Sequence, residues 1–288
     1  MSKHNLTDIK EIRAVMGMFG KHFSKSLGQN FLINSGVIED TVSGSGVSKD
    51  TNVLEIGPGI GTLTMALAKR ANKVVAVEID TKLLPVLDYT LEDYDNVSII
   101  HGDILKLDIN ELYNEHFKSG KAKVVANLPY YITTPIIMKL LEHRELFESI
   151  TVMVQKEVAY RLAADEGSKD YSAVSIAVGY YAEPEIIVNV RPDDFCPPPK
   201  VHSAVIKLNI RENPPFTPED EKFFFKLVKA GFAQRRKTFI NSVSSGGISK
   251  ADAAAALSEI GLDENIRAEK ISPAQFCALS DILYKKSK

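Results

Sequence analysis

The chain has 288 residues, 44% of them hydrophobic, with 35 basic and 37 acidic side chains and a net charge of −2. That supplies a sizeable core and length for two domains, while no stretch nears the ~20 apolar residues of a membrane span. Met1 to Asn5 lack the apolar core of a secretion signal, and Cys196 and Cys277 make neither a disulfide framework nor a clustered-thiol metal site, so the expectation is a cytoplasmic protein with no metal and no membrane partner.

The first clear unit is strand, glycine turn, helix: Thr51–Ile56, then Gly57-Pro58-Gly59-Ile60-Gly61, then Thr62–Ala68. Glycines at alternate positions let the backbone turn tightly and approach a ligand at the start of the helix. A second apolar strand, Val74–Val77, ends in Glu78, about twenty residues on, where an acid can accept hydrogen bonds from both hydroxyls of a ribose. A third, Val97–Ile100, runs through His101-Gly102 to Asp103, which is placed to accept from an adenine amine. A strand-end acid also serves as a helix N-cap. The repetition at successive strand ends is what points to a ligand-binding edge of a parallel sheet.

The glycine turn is compatible with nicotinamide dinucleotides and with S-adenosylmethionine. Its spacing is Gly-x-Gly-x-Gly, and Thr62 stands where a dinucleotide fingerprint places its third glycine. Pyrophosphate is therefore less well served than an adenosine with a short sulfonium amino-acid tail.

A fourth strand, Val124–Ala126, opens into Asn127-Leu128-Pro129-Tyr130. The Asn127 side-chain carbonyl and the Leu128 backbone carbonyl, which the following proline steers toward an extended conformation, together suit both hydrogens of an exocyclic amine. Tyr130 can stack on the ring bearing it. Asn and Pro also favour ordinary turns; the neighbouring nucleoside-type residues favour the binding reading.

Thr151–Val154 is a further strand, and Glu185–Val190 and Val201–Leu208 form the last two, joined through a proline-rich connection. Pro214, Pro215 and Pro218 then end regular structure and mark a boundary. Beyond it the pattern is helical: a helix opening at Thr217 or Pro218, an alanine-rich one from Lys250 to Ile260 with Gly261 at its C-terminal end, and a last one from Ser272-Pro273 through Leu283. Between Glu221 and Asp252 no acid occurs, while Lys222, Lys226, Lys229, Arg235, Arg236, Lys237 and Lys250 do. The first three recur at helical spacing opposite Phe224, Leu227, Val228 and Phe232, giving one helix a cationic and a core face. A local cationic patch answers the objection that a net acidic chain binds RNA poorly.

Over nearly its whole length the chain resembles the KsgA-type small-subunit ribosomal RNA adenine-N6,N6-dimethyltransferases. Ser26-Leu27-Gly28-Gln29-Asn30-Phe31-Leu32 resembles that family's N-terminal motif. Glu55 to Gly61, Glu78 and Gly102-Asp103 are similar to its cofactor motifs, and Asn127 to Tyr130 to its catalytic motif. Phe195 to Ser203 looks like its Phe-x-Pro-x-Pro-x-Val-x-Ser segment, and Phe232 to Thr238 like its basic C-terminal motif.

The resemblance implies an α/β fold, a Rossmann-like S-adenosylmethionine-dependent methyltransferase sheet of seven mostly parallel strands with an antiparallel end. It implies a catalytic domain over 1–211, of which 1–25 is an extension, and a small helical RNA-binding domain over 212–288. Gln29, Asn30, Leu32, Gly57, Gly59, Glu78, Ile79, Asp103, Ile104 and Asn127 are expected to hold S-adenosylmethionine and its product S-adenosylhomocysteine. Asn127, Leu128, Pro129 and Tyr130 are expected to act on the base, with Phe195 closing its other face. Lys222, Lys229, Arg235, Arg236 and Lys237 are expected to meet RNA, with Lys21 and Lys25 extending that surface. The implied activity is direct transfer of methyl groups to N6 of two adjacent adenines near the 3′ end of 16S rRNA, by a monomer acting on the small ribosomal subunit during its biogenesis. The alternatives are a large-subunit rRNA adenine dimethyltransferase conferring macrolide resistance and a mainly non-catalytic assembly factor.

Overall fold

Runs of Val, Ile, Leu and Ala without polar alternation fold as strands buried on both faces. Val53, Leu54, Val74, Val75, Ala76, Val124, Val125, Ala126 and Val152 are all at or near zero exposure. In the computed structural model, which describes residues 4–20, 30–117 and 120–287, they belong to a sheet of seven strands: β1 (Asn52–Ile56), β2 (Lys73–Glu78), β3 (Val97–His101), β4 (Ala122–Asn127), β5 (Phe147–Gln155), β6 (Ala182–Val190) and β7 (Ser203–Ile210). The spatial order is β3-β2-β1-β4-β5-β7-β6. The first five strands pair in parallel, and β7 lies antiparallel to β5.

From β1 the chain grows outward through β2 to β3 and then returns to the other side of β1 as β4. This reversal is the switch point at which open α/β sheets bind ligands, beyond the carboxyl ends of their strands. Gly57 follows β1 there, Glu78 ends β2 and Asn127 ends β4. A separate two-residue ribbon pairs Phe31–Leu32 antiparallel with Phe195–Cys196. It is braced by the Ile33 N–H donating to the Asp194 carbonyl at 2.8 Å and by Asn34 Nδ2 donating to Asp194 Oδ1 at 2.8 Å.

The chain divides into two compact units, Met1–Ala159 with Glu183–Ile210, and Tyr160–Ala182 with Arg211–Lys288. The second break falls at the proline-marked boundary. The segment Tyr160–Ala182, which the reading of 1–211 as one domain keeps with the sheet, instead joins the helical unit. Its Tyr171, Ile176 and Tyr180 are buried with Phe224, Leu227, Val228, Phe239 and Phe276. The Arg211 N–H also donates to the Tyr181 carbonyl at 2.9 Å. The helix involved, Ala173–Tyr181, is apolar around most of its surface, so its own pattern does not say which core receives it.

The basic helix spans Glu221–Phe232, starting later than Thr217 or Pro218, because the Asp220 side chain caps it by accepting the Phe223 N–H. The last helix starts as expected, with a reciprocal Ser272–Gln275 capping box, and continues past Leu283 to Lys286. Lys285 and Lys286 extend it favourably, since cations suit a helix C-terminus. Phe239–Ser244 and Lys250–Glu259 complete the helices after the boundary. Among the described residues no helix is long and apolar enough to cross a membrane.

Candidate active site

The turn after β1 extends the sheet ladder by one bond, the Gly57 N–H donating to the Val77 carbonyl at 2.9 Å, and then leaves it. Gly57 and Gly59 take φ of +68° and +63°, a region that L side chains avoid. A Cβ on Gly59 would also lie 2.9 Å from the Phe31 ring, so the backbone has room to approach only with hydrogen at that position. Its N–H donates to Glu78 Oε2 at 3.3 Å, and the Asp80 N–H donates to Glu78 Oε1 at 2.8 Å. These bonds fix the carboxylate while leaving each oxygen a further lone pair for hydroxyl donors. Burial raises the Glu78 pKa, and the two backbone donors oppose that rise.

The Gly102 N–H donates to the Glu78 carbonyl at 2.9 Å, setting the end of β3 beside that of β2. Asp103 Oδ1 accepts the Leu105 N–H at 3.0 Å, and Oδ2 lies 3.6 Å from Lys106 Nζ. Ile79, half exposed, and Ile104, buried, give these carboxylates apolar flanks. Such a mixture suits a flat heterocycle with a polar edge.

At the end of β4 the Asn127 side chain donates through Nδ2 to the Asn30 carbonyl at 3.4 Å, which directs Oδ1 to act as an acceptor. The Leu128 N–H is used by the Met153 carbonyl at 3.1 Å. The Leu128 carbonyl has no donor among the described residues. The Pro129 carbonyl is consumed by the next turn, accepting the Ile132 N–H at 3.2 Å and the Thr133 hydroxyl at 3.1 Å. Tyr130 is clamped by a 2.6 Å hydrogen bond between its hydroxyl and Ser203 Oγ. Burial raises the Tyr130 pKa, so the ring stays neutral.

One cleft gathers Asn30, Leu32, Gly57, Gly59, Glu78, Ile79, Asp103, Ile104, Asn127, Leu128, Pro129 and Tyr130. Gln29, Lys21 and Lys25 lie outside the described residues. Phe195 requires a correction. Its ring is 2% exposed and packed with Leu32, Val37, Val42, Val190 and Val205, not among the residues lining the cleft. An apolar ring in a strand opposite Leu32 gains more from the core than from solvent. Its contribution is to seat Leu32, its partner across the ribbon. Phe195→Ala is therefore expected to destabilise the fold by about 3–5 kcal/mol, read as a lowered urea midpoint; unchanged stability with loss of RNA turnover would restore the stacking role.

The structure adds Tyr131 to the cleft and shows how deeply Glu55 is buried beside it. Tyr131 is 60% exposed at the cleft, an available ring beside the clamped one, and the doubled tyrosine was its only signal. Glu55, which the resemblance places in a cofactor motif without a role of its own, is 1% exposed and lines the same cleft. Burial first, and the like charge of Glu78 after it, push its pKa up to about 8.

In the helical unit, Lys222, Lys226 and Lys229 are exposed while Phe224, Leu227 and Val228 are buried, as the periodicity requires. Arg235, Arg236 and Lys237 are exposed on the turn that follows. Arg235 is already engaged, donating to the Lys169 carbonyl and standing 4.0 Å from Glu269.

The profile of the ribosomal RNA adenine dimethylase family matches residues 20–285. A protein of Shouchella clausii named ribosomal RNA small subunit methyltransferase A is 51% identical over 275 residues, 94% of this chain and 93% of the relative. One of the same name from Clostridioides difficile is 47% identical over 287 residues, covering 99% and 98% of the two chains. Among solved structures, a dimethyladenosine transferase from Plasmodium falciparum superposes with a TM-score of 0.74 at 27% identity, over 89% of this chain and 98% of its own. The 23S rRNA methyltransferase ErmE gives 0.68 at 26%, over 88% and 100%. With the family profile spanning residues 20–285 and relatives at about half identity over nearly the full length of both chains, the chain belongs to the ribosomal RNA adenine dimethylases.

Proposed function

We propose that this enzyme, as a cytoplasmic monomer, dimethylates N6 of two adjacent adenines in a hairpin near the 3′ end of 16S rRNA in the small ribosomal subunit, with S-adenosylmethionine as methyl donor. The observation that carries the reading is that Asn127, its Nδ2 held by the Asn30 carbonyl, and Leu128, whose carbonyl has no donor among the described residues, share one cleft with Glu78 and Asp103. The residues present fit the donor. Gly57 and Gly59 leave backbone approachable, Glu78 has lone pairs for ribose hydroxyls, Asp103 can accept from an adenine amine, and Asn30, Leu32, Ile79 and Ile104 line the remainder. S-adenosylmethionine supplies an electrophilic methyl on a sulfonium.

The adenine N6 lone pair is delocalised into the purine, which makes it a weak nucleophile. Accepting both of its hydrogens at Asn127 and Leu128 favours a more tetrahedral nitrogen with its lone pair directed at the methyl. That is catalysis by orientation and fixed dipoles. A side-chain base is unnecessary before transfer, because the proton becomes acidic only afterwards and can leave to solvent. Tyr130, fixed through Ser203, offers a ring for a base removed from its stack, an event costing a few kcal/mol.

The relatives named for the small subunit, at about half identity over nearly full length, support that substrate over large-subunit RNA. The two solved structures lie too near each other in similarity to separate the readings. Incubating labelled S-adenosylmethionine with unmethylated small subunits and, separately, with large-subunit RNA, and resolving the product nucleosides, tests the choice. N6,N6-dimethyladenosine in the small-subunit arm alone is expected; labelling confined to large-subunit RNA would reverse it.

A further inference from the structure

Lys139 carries a charge that neither the donor residues nor the base residues use. It lies on the helix Thr133–Glu142, which begins directly after the Tyr130–Ile132 turn and whose Ile136 lines the cleft. A lysine ordinarily keeps its ammonium in water. This one is half-buried and forms no ion pair among the described residues; its Nζ donates instead to two backbone carbonyls, Leu105 at 3.0 Å and Leu107 at 2.6 Å. Both carbonyls belong to the turn that Asp103 opens. The Lys106 and Leu107 N–H groups close that turn by donating to the Asp103 carbonyl at 2.8 and 3.0 Å, and the Leu105 N–H donates to Asp103 Oδ1 at 3.0 Å. Leu107 folds back so far that a Cβ on Gly102 would lie 2.8 Å from its Cδ1. One end of the turn is therefore held by the Asp103 carboxylate and the other by the Lys139 ammonium. Bonds from a charged donor are about twice as strong as neutral ones, and deleting Nζ would leave two carbonyls without a donor among the described residues.

We propose that Lys139 is a positioning residue for the purine of the methyl donor: by holding the Leu105 and Leu107 carbonyls it keeps the Asp103 turn closed, fixes the carboxylate in one direction, and so sets the preference for a purine bearing an amine. This rests on the reading of Asp103 as the acceptor for the adenine amine. Lys139 itself touches no ligand. With the turn closed, Oδ1 is committed to the Leu105 N–H and the carboxylate cannot swing, which leaves its remaining lone pairs in a fixed place. With the turn loosened the same carboxylate rotates, and a hydrogen bond to the amine must then meet the cost of ordering it. Lys106 is no substitute, since it reaches Asp103 Oδ2 only at 3.6 Å from a side chain 84% exposed, and such surface pairs contribute little.

The experiment is titration calorimetry of the full chain with S-adenosylhomocysteine and with its purine-riboside analogue, identical except that the exocyclic amine is missing. The parent should prefer S-adenosylhomocysteine by about tenfold or more, as expected of a hydrogen bond to a charged acceptor. Lys139→Met, which keeps the apolar stem, should cut that preference to about threefold or less while leaving the analogue's affinity within about twofold. Lys139→Arg, which retains the charge and the donors, should restore most of the preference. Lys139→Gln, with a neutral donor, should fall between, and it supplies the result if the methionine variant does not fold. Lys106→Met should match the parent, and in methyl-transfer assays the loss in Lys139→Met should appear in KM for the donor more than in kcat. Equal loss of affinity for both ligands would make Lys139 a general support of the fold and overturn the proposal. A preference that survives Lys139→Met but not Asp103→Ala also overturns it, with the reading of Asp103 left standing. A parent without any preference, or one whose preference survives Asp103→Ala, refutes that reading and the inference with it.

Discussion

Asn127→Ala is expected to lower the methyl-transfer rate by about 10²–10³-fold, the range seen when one preorganised group that stabilises a developing charge is removed. Affinity for S-adenosylmethionine should change by no more than a few-fold, because Gly57, Gly59, Glu78 and Asp103 reach the cleft from other strands. The reason lies in the division of Asn127's two ends. Nδ2 is tied to the Asn30 carbonyl and keeps the amide in one orientation, while Oδ1 is the end proposed to accept from the amine. Alanine removes the acceptor and the tie together, leaving the Leu128 carbonyl to hold a nitrogen that must present a directed lone pair. Single-turnover methylation with saturating donor, beside an equilibrium titration of the donor, separates the effects. A normal single-turnover rate would remove Asn127 from the chemistry, and a loss of donor affinity as large as the loss of rate would make it a cofactor residue only.

That division was partly legible beforehand. Asn127-Leu128-Pro129-Tyr130 follows an uninterrupted apolar strand, and a polar group at such an end is exposed to the crevice whatever its neighbours are. Glu78 and Asp103 were legible for the same reason, since both positions follow from strand period and topology. The Tyr130 clamp was not, because Ser203 closes a proline-rich motif that nothing local links to a tyrosine 73 residues earlier. Phe195 misled for a related reason. A phenylalanine before a proline-rich loop reads alike whether it stacks on a base or fills a core, and only pairing with Leu32 across the ribbon decides. The assignment of Tyr160–Ala182 to the helical unit is equally non-local: its apolar helix satisfies either core, and the aromatic surface of Phe224 and Phe276 that takes it in lies beyond the boundary. The burial that pushes up the Glu55 pKa comes from several directions at once, which no local pattern records.

Reversal of Arg235, Arg236 and Lys237 to glutamate is expected to weaken RNA binding by roughly 10²-fold at low salt and to reduce the slope of log K against log salt by about 2 to 3, near one for each lost phosphate contact. Donor binding should be unaffected, since the cleft residues belong to the other compact unit. A chain of net charge −2 has little general attraction for a polyanion, so its affinity must come from where its cations are concentrated. The stretch after Glu221 concentrates them without an intervening acid, on an exposed helix face and the turn that follows. Within the triplet the contributions should be unequal. Arg235 is partly satisfied by the Lys169 carbonyl and by Glu269 and must give up those contacts to meet a phosphate, whereas no ion pair is formed by Arg236 or Lys237 among the described residues. Single reversals at Arg236 or Lys237 should therefore cost more affinity than the one at Arg235. Filter binding of a small-subunit rRNA fragment across several salt concentrations checks both statements: parallel salt dependences for the triple variant and the parent would take the turn out of the RNA surface, and a dominant Arg235 would mean that its internal contacts open on binding.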